Sequence, residues 1–517
     1  MANRSLFRSL VGKLLPKADT RNEEGGPAYR MPPKHALAQY AATGCLHTTF
    51  YATESTQLEA VLRLCGQVDA DFIARTALYG RTRGAMKDMP ALLCAVLSVQ
   101  APALFERVFE RVIDNGRMLR TFVQIMRSGA VERISLGSRP KRQVRHWLAT
   151  RSDEAVVRAS VGTAPSLADI VKMVHPKAAT PSREALYGWL IGREVARERL
   201  PGLVREFEHW KATREGPVPD VPFQMLTALD LGAREWKSIA ANAGWQMTRM
   251  NLNAFARHGV LTDDHLVGMI AARLRNSDAI EAARAFPYQL LVAYRSAGDT
   301  VPFAIREALQ DAMEVSIRNV PAVAGKVIVC PDVSGSMASP VTGRRKGATT
   351  AVRCIDVAAL VAAAFLRKNP EAEVIPFESA VVDIRLNPRD SVLTNAEKLA
   401  RIGGGGTNCS APLTKLNREK ARGDLVVFVS DNESWVDAGH GRGTATMRGW
   451  QVFRARNPEA RLVCIDIQPY GTTQAVERPD VLNVGGFSDA VFNVVGQFAA
   501  GGLAADDWIG EIERMQL

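Results

Sequence analysis

The hydrophobic pattern of this chain changes period once, near residue 320, and no single fold class accommodates both halves. From about Met31 to Arg318 apolar residues recur every three to four positions. The stretch "APALFERVFERVI" sets Leu104, Phe105, Val108, Phe109, Val112 and Ile113 on one stripe, and "PFAIREALQDAMEVSI" does the same with Ile305, Leu309 and Met313. Pro and Gly punctuate short segments, as in "EGPVPDVP" and "SAGDTVP", and strand-like alternation is scarce. The pattern predicts many short helices packed pairwise. It has no fixed-period consensus, so a solenoid of irregular helical hairpins is the natural architecture.

After "NVPAVAG" the texture becomes βαβ. "KVIVCPDVSGSM" reads as a buried strand running into a loop and "CIDVAALVAAAFLRK" as a helix, while "EAEVIPFES", "DLVVFVSDNESW" and "RLVCIDIQP" read as further strands. Strands alternating with helices predict a parallel, doubly wound sheet whose ligands bind beyond the carboxyl ends of its strands. The expected division is a basic arm over 1–24, a helical module over 25–320 and an α/β domain over 321–517.

A chain of 517 residues, 47% of them hydrophobic, is long enough for two or three cores. Seven scattered cysteines, with no C-x-x-C pair, point to reduced thiols in a cytoplasmic protein rather than to disulfides or zinc. No apolar run approaches a membrane span, and the basic N-terminus lacks the apolar core of a secretion signal. Residues 321–517 hold 22 Lys and Arg against 22 Asp and Glu, which leaves 43 against 32 before them. The whole excess of +11 therefore belongs to the helical part, where clustering on one face would attract a polyanion.

Three pieces of the α/β part fall at strand ends or in adjoining loops: "DVSGS", "GGGGTN" and "VSDNES". Asp332, Ser334, Ser336, Thr407 and Asp431 offer two carboxylates and three hydroxyls, an oxygen-only set that suits Mg²⁺ or Mn²⁺ rather than zinc. Gly335 and Gly403 to Gly406 let the backbone approach closely. Such a set leaves the ion under-neutralised, so a partner carboxylate or a phosphate could complete its shell. A simpler alternative has Asp332 and the serines capping the following helix, which leaves Thr407 and Asp431 unexplained. An aspartyl-phosphate enzyme needs an acid where Ser334 stands, and the glycine run lacks the Lys-Ser/Thr of a phosphate loop.

This constellation resembles the metal-ion-dependent adhesion site of von Willebrand factor A domains, with its three segments in the same order. Upstream, "GGPAYRMPPKHALAQYAATGCLHTTFYA", "MPALLCAVLSV", "SLADIVKMVHPKA" and "AFPYQLLVAYRSA" together resemble the TROVE module of the Ro ribonucleoprotein family, and the opening of the chain resembles its bacterial members. The resemblance implies a ring of HEAT-like helical repeats closed by the A domain. It implies binding of small noncoding Y-like RNAs on the outer face and of 3′ ends of structured or misfolded RNAs in the central hole. It further implies a role in RNA quality control or ribosomal RNA maturation, with polynucleotide phosphorylase or another exonuclease as partner, and no catalysis by the chain itself.

In "SRPKRQVRHW", Arg139, Lys141, Arg142 and Arg145 are dense enough to engage several phosphates, and Trp147 either packs or stacks. Lys172, His175 and Lys177, with Arg158 upstream, correspond to basic positions of the Ro surface that contacts RNA. A solvated helix face is the alternative for all of them. A rival function is a protein-interaction scaffold whose A domain grips an acidic partner through the metal.

Overall fold

The computed structural model describes residues 15–517 except 45, 284, 286, 318–319, 345–351, 437–442, 487–488 and 502–506. The first fourteen residues of the expected basic arm and Cys45 therefore lie outside the described residues.

Two compact units emerge, each assembled from two stretches of chain: residues 1–59 with 317–511, and residues 60–316 with 512–517. This differs from the division expected at residues 24 and 320. In the first unit the strands are β1 (Thr20–Arg21), β2 (Pro27–Arg30), β3 (Val327–Pro331), β4 (Glu373–Val374), β5 (Leu425–Ser430), β6 (Arg461–Asp466), β7 (Thr472–Thr473) and β8 (Val481–Gly485).

A five-stranded sheet runs in the order β4-β3-β5-β6-β8 with every pair parallel. Its central strands β3 ("VIVCP") and β5 ("LVVFVS") are buried at every position, as expected of parallel strands covered on both faces. The Ala-rich helix Cys354–Lys368 is buried almost all round, so its small side chains serve packing. Strand order reverses at β3, the switch point where such sheets place ligands, and Asp332 and Asp431 directly follow β3 and β5.

The β1–β2 hairpin turns through Gly25 in the left-handed region and pairs antiparallel to β7, with Tyr29 opposite Thr473 and Arg30 opposite Thr472. The following helix, Pro33–Thr43, packs on β8, where Gly485 has no Cβ and the Gln39 side chain takes that space. These ladder bonds and side chains bind residues 20–52 to the A domain, which is why the expected boundary at residue 24 does not hold.

In the second unit helices adjacent in sequence pack on one another, as Ala70–Thr82 does on Asp88–Gln100 and the latter on Pro102–Val112. Phe105, Phe109 and Phe122 form a buried aromatic knot with centroids 5.2–5.7 Å apart. Trp147 belongs to this core: it is 2% exposed and its Nε1 donates to the Ile113 carbonyl at 2.7 Å, so it packs rather than stacks on a ligand. The last residues complete this unit, Arg75 donating to the Glu513 carbonyl and Arg111 to that of Gln516, both at 2.6 Å.

Candidate cation site and basic surface

Asp332, Ser334, Ser336 and Asp431 lie just beyond the ends of β3 and β5, and Thr407 follows the glycine run that packs on their loop. Asp332, Ser334, Ser336, Thr407 and Asp431 are each no more than 5% exposed. The Asp332 carboxylate accepts from the Ser334 backbone N–H at 2.8 Å and from the Ser430 hydroxyl at 2.6 Å. Ser334 and Ser336 hydroxyls lie 3.3 Å apart, and the Asp431 Oδ1 accepts from the Glu433 N–H at 3.4 Å.

The glycine run closes on this loop through backbone bonds, Gly335 N–H to the Gly405 carbonyl at 3.0 Å and Gly404 N–H to the Val333 carbonyl at 3.2 Å. At Gly405, φ is +71°, where any side chain is strained, and a Cβ would fall 1.3 Å from the Glu378 carboxylate and force it aside. Thr407 is fixed beside the third segment, its carbonyl accepting from Trp435 N–H at 3.0 Å.

Helix capping does not account for these residues. The next α-helix begins at Cys354, where Asp356 reaches back to the Arg353 N–H at 2.9 Å. Burial raises the Asp332 carboxyl above its ordinary range, and burial followed by the charge of Asp332 raises Asp431. Glu433 is also fully buried and raised by burial. Its Oε2 accepts from the Glu23 N–H at 2.8 Å, and its Oε1 has no partner among the described residues. Buried, mutually repelling carboxylates beside neutral hydroxyls are the surroundings in which a hard divalent cation lowers the energy, so the donor set fits Mg²⁺ or Mn²⁺.

The basic residues of the helical unit separate into two groups. In helix Ser138–Thr150, Lys141, Arg142 and Arg145 share the face turned from the core, and Arg139 is exposed near its start. The Arg145 Nε donates to the Val174 carbonyl, tying this helix to the end of Leu167–Val174, where Lys172, His175 and Lys177 are all exposed. His175 caps that helix in the left-handed conformation (φ 49°), which usually falls to glycine. Arg142 pairs with Glu106.

Arg158 lies apart from these, paired with Asp220 at 2.7 Å in a cleft of about 500 Å³ that Arg117, Arg120 and Arg151 also line. The Arg120 Nη1 donates to the Ala159 carbonyl at 2.7 Å, and burial, then the neighbouring Arg117, lowers its pKa. The Arg151 guanidinium sits 5.3 Å over the Trp147 ring.

Residues 326–499, which hold all five cation-site residues, match the family described as the Ro60 vWA domain. The RNA-binding protein RO60 of Deinococcus radiodurans is 25% identical over 94% of this chain and 96% of its own length. Its C-terminal part thus matches a Ro domain family, and nearly the whole chain is similar to a Ro protein. The RNA-binding protein RO60 of Caenorhabditis elegans is 21% identical over 46% of this chain and 38% of its own length. The crystal structure of the Deinococcus radiodurans RO (RSR) protein superposes with a TM-score of 0.60 at 22% identity, covering 91% of this chain and all of that one. The Ro fold thus extends over both halves of the chain, and the C-terminal half contains the von Willebrand A domain expected from its motifs.

Sequence reading missed three parts of this chain. Ser430 could have been found, being the one hydroxyl on an otherwise apolar strand. Glu433 stands two positions past Asp431 and looks like any loop acid. Arg117, Arg120 and Arg151 are scattered over 35 positions, and only the packing of their helices gathers them.

Proposed function

We propose that this chain is a noncatalytic RNA-binding scaffold, and that RNA is held by the basic surface of its helical unit. The observation that carries the reading is the junction of helices Ser138–Thr150 and Leu167–Val174. There Lys141, Arg142, Arg145, Lys172, His175 and Lys177 stand together on exposed or half-buried positions, in the part of the chain that carries the charge excess. Relatives named RNA-binding proteins support it. The ion pairs of Arg142 and Arg158 are solvent-exposed and worth at most about 1 kcal/mol each, so a phosphate can replace Glu106 or Asp220 at small cost.

The ligands in this reading are a small structured RNA of the Y type and the 3′ ends of misfolded or structured RNAs. Duplex parts are met through phosphates and 2′-hydroxyls, with single-stranded parts supplying base contacts. The cellular role is RNA quality control or ribosomal RNA maturation beside an exonuclease such as polynucleotide phosphorylase. Free, buried thiols at the six described cysteines accord with a cytoplasmic setting, and among the described residues no helix is long and apolar enough to cross a membrane. In the A domain, Asp332, Ser334, Ser336, Thr407 and Asp431 would hold Mg²⁺ or Mn²⁺, which supplies a positive charge between two buried acids.

The direct test is the salt dependence of RNA affinity. Contacts to about five phosphates give a slope of log K against log salt near −4, whereas a flat line rules out an electrostatic surface. A second test uses His175. Its left-handed backbone costs about 1 kcal/mol that glycine avoids. His175→Gly is therefore expected to raise the midpoint of chemical denaturation while lowering RNA affinity, opposite signs that a purely structural histidine would not produce.

A further inference from the structure

The cleft of about 500 Å³ in the helical unit lies between the start of helix Gly116–Arg127 and the end of helix Asp153–Ala159. Its size falls in the range of roughly 300–1,000 Å³ that small-ligand sites occupy. Close packing fixes its walls. A Cβ on Gly116 would stand 2.5 Å from the Ala159 Cβ, so the first turn of one helix is pressed on the last turn of the other. The Arg120 Nη1 donates to the Ala159 carbonyl at 2.7 Å, and the backbone passes the same guanidinium at Gly162, where φ is +115° and a Cβ would stand 2.6 Å from Nη2. Arg120 is thus held in place before any ligand arrives.

Arg117, Arg120, Arg151 and Arg158 all line this cleft, and their charge is poorly compensated. Arg158 pairs with Asp220, and the lining Asp114 is taken up by Arg81, whose Nε and Nη2 reach its carboxylate at 3.0 and 2.8 Å. Arg117, Arg120 and Arg151 make no ion pair among the described residues, and the Arg151 Nε is buried without a hydrogen-bond partner among them. A buried charged donor left unpaired is costly, and an anion seated beside it removes that cost. The cleft also meets the N-terminus of helix Gly116–Arg127. There Asn115 caps the Met118 N–H at 3.1 Å, while those of Gly116 and Arg117 have no carbonyl within the helix to bond.

Three unpaired guanidinium groups and a helix N-terminus exceed what an internal phosphodiester can neutralise, since it carries a single charge. A terminal phosphate carries about two at neutral pH and offers three oxygens, which arginine forks grip in pairs. Ala155, Val161 and Pro222 add apolar surface for a sugar or base, and Gln224 adds an amide for a base edge. We propose that this cleft is a site for the terminal phosphate of a nucleotide, gripped by Arg117, Arg120 and Arg151, as found at the 5′ end of an RNA or on a free nucleotide. For an RNA this deepens the RNA-binding reading above, on which that source rests: the face around Lys141 and Lys172 meets phosphates along a strand, and the cleft takes its end.

The test compares two single-stranded RNAs of about ten nucleotides, alike in sequence and 3′ fluorescent label, one with a 5′ phosphate and one with a 5′ hydroxyl. Their affinities for the full-length protein are read by fluorescence anisotropy. The phosphorylated RNA is expected to bind about tenfold more tightly. Arg117→Gln, alone and with Arg151→Gln, brings that ratio down to about one, and because Arg117 is exposed and unpaired the single variant melts as wild type does. Lys141→Ala with Lys172→Ala weakens both RNAs and keeps the ratio. A mixture of the four nucleoside 5′-diphosphates then assigns the source: loss of the phosphate advantage below about 0.1 mM identifies a free nucleotide, and its persistence identifies the RNA end. Equal affinity of the two RNAs in wild type overturns the terminal-phosphate site and leaves the RNA-binding reading standing. A ratio that survives the double arginine variant overturns it too. If neither RNA binds, the RNA-binding reading fails, and calorimetry with the same diphosphates decides the cleft: binding that Arg117→Gln weakens about tenfold supports the site, and no binding overturns it.

Discussion

Replacing Lys141, Arg142, Lys172 and His175 together with alanine is expected to weaken binding of a small structured RNA about 100-fold or more at physiological salt. The slope of log affinity against log salt should flatten by about three units. The slope is the more diagnostic quantity, since each lysine or arginine that neutralises a phosphate contributes nearly one unit whatever the RNA sequence. The four side chains are exposed or half-buried. Their loss costs the fold at most the surface ion pair of Arg142 with Glu106, so thermal unfolding should be nearly unchanged. Arg145 is left in place because its bond to the Val174 carbonyl joins two helices, and its removal would mix structure with binding. Asp332→Ala, in the other unit, should leave RNA affinity intact. Unchanged affinity and slope in the fourfold variant would move the RNA site elsewhere, and the arginine cleft around Arg120 would be the next surface to test.

Saturating Mg²⁺ is expected to stabilise the wild-type A domain by about 4 kcal/mol at a thousand times its Kd, and chelation should remove all of that gain. Asp431→Asn should reverse the comparison. In chelator, the variant unfolds at the same or higher denaturant concentration than wild type, because a neutral amide relieves the repulsion between two buried carboxylates. In Mg²⁺ it gains little and falls below wild type. Measuring both proteins in both conditions gives crossing orders of stability. Parallel behaviour, with Asp431→Asn destabilised equally in chelator and in Mg²⁺, would mean that Asp431 serves the fold through its hydrogen bond from the Glu433 N–H and has no part in holding an ion.

Much of the A domain was legible in the sequence because its information is local. A strand buried on both faces must be a continuous apolar run, and β3 and β5 are such runs, so the residues just past them fall where doubly wound sheets bind ligands. The helical unit was legible as helices and not as a surface. The 3.6-residue stripe identifies Phe105 and Phe109 as core, yet it leaves Trp147 open between packing and stacking and does not say that Arg117, Arg120, Arg151 and Arg158 meet around one cleft, since that depends on how four elements pack. The domain boundaries were misjudged for a related reason. Composition changes at residue 320, but β2 finds its ladder partner at Thr472–Thr473, more than 440 positions away, and a two-residue pairing leaves no mark on hydrophobic periodicity.

Because each unit is sewn from two stretches, the polypeptide passes from one unit to the other three times, near residues 59, 316 and 511. A cut at the compositional border yields two halves, neither of which is whole. The piece starting at residue 321 leaves β7 without β2 and bares the Ser434 carbonyl and the Glu433 carboxylate. The piece ending at residue 320 takes from Arg75 and Arg111 the carbonyls of the last residues. Dissection of this protein into working parts has to follow the thread of the chain, and a split pair that reassociates, cut at 59 or 316, respects it where a simple truncation does not.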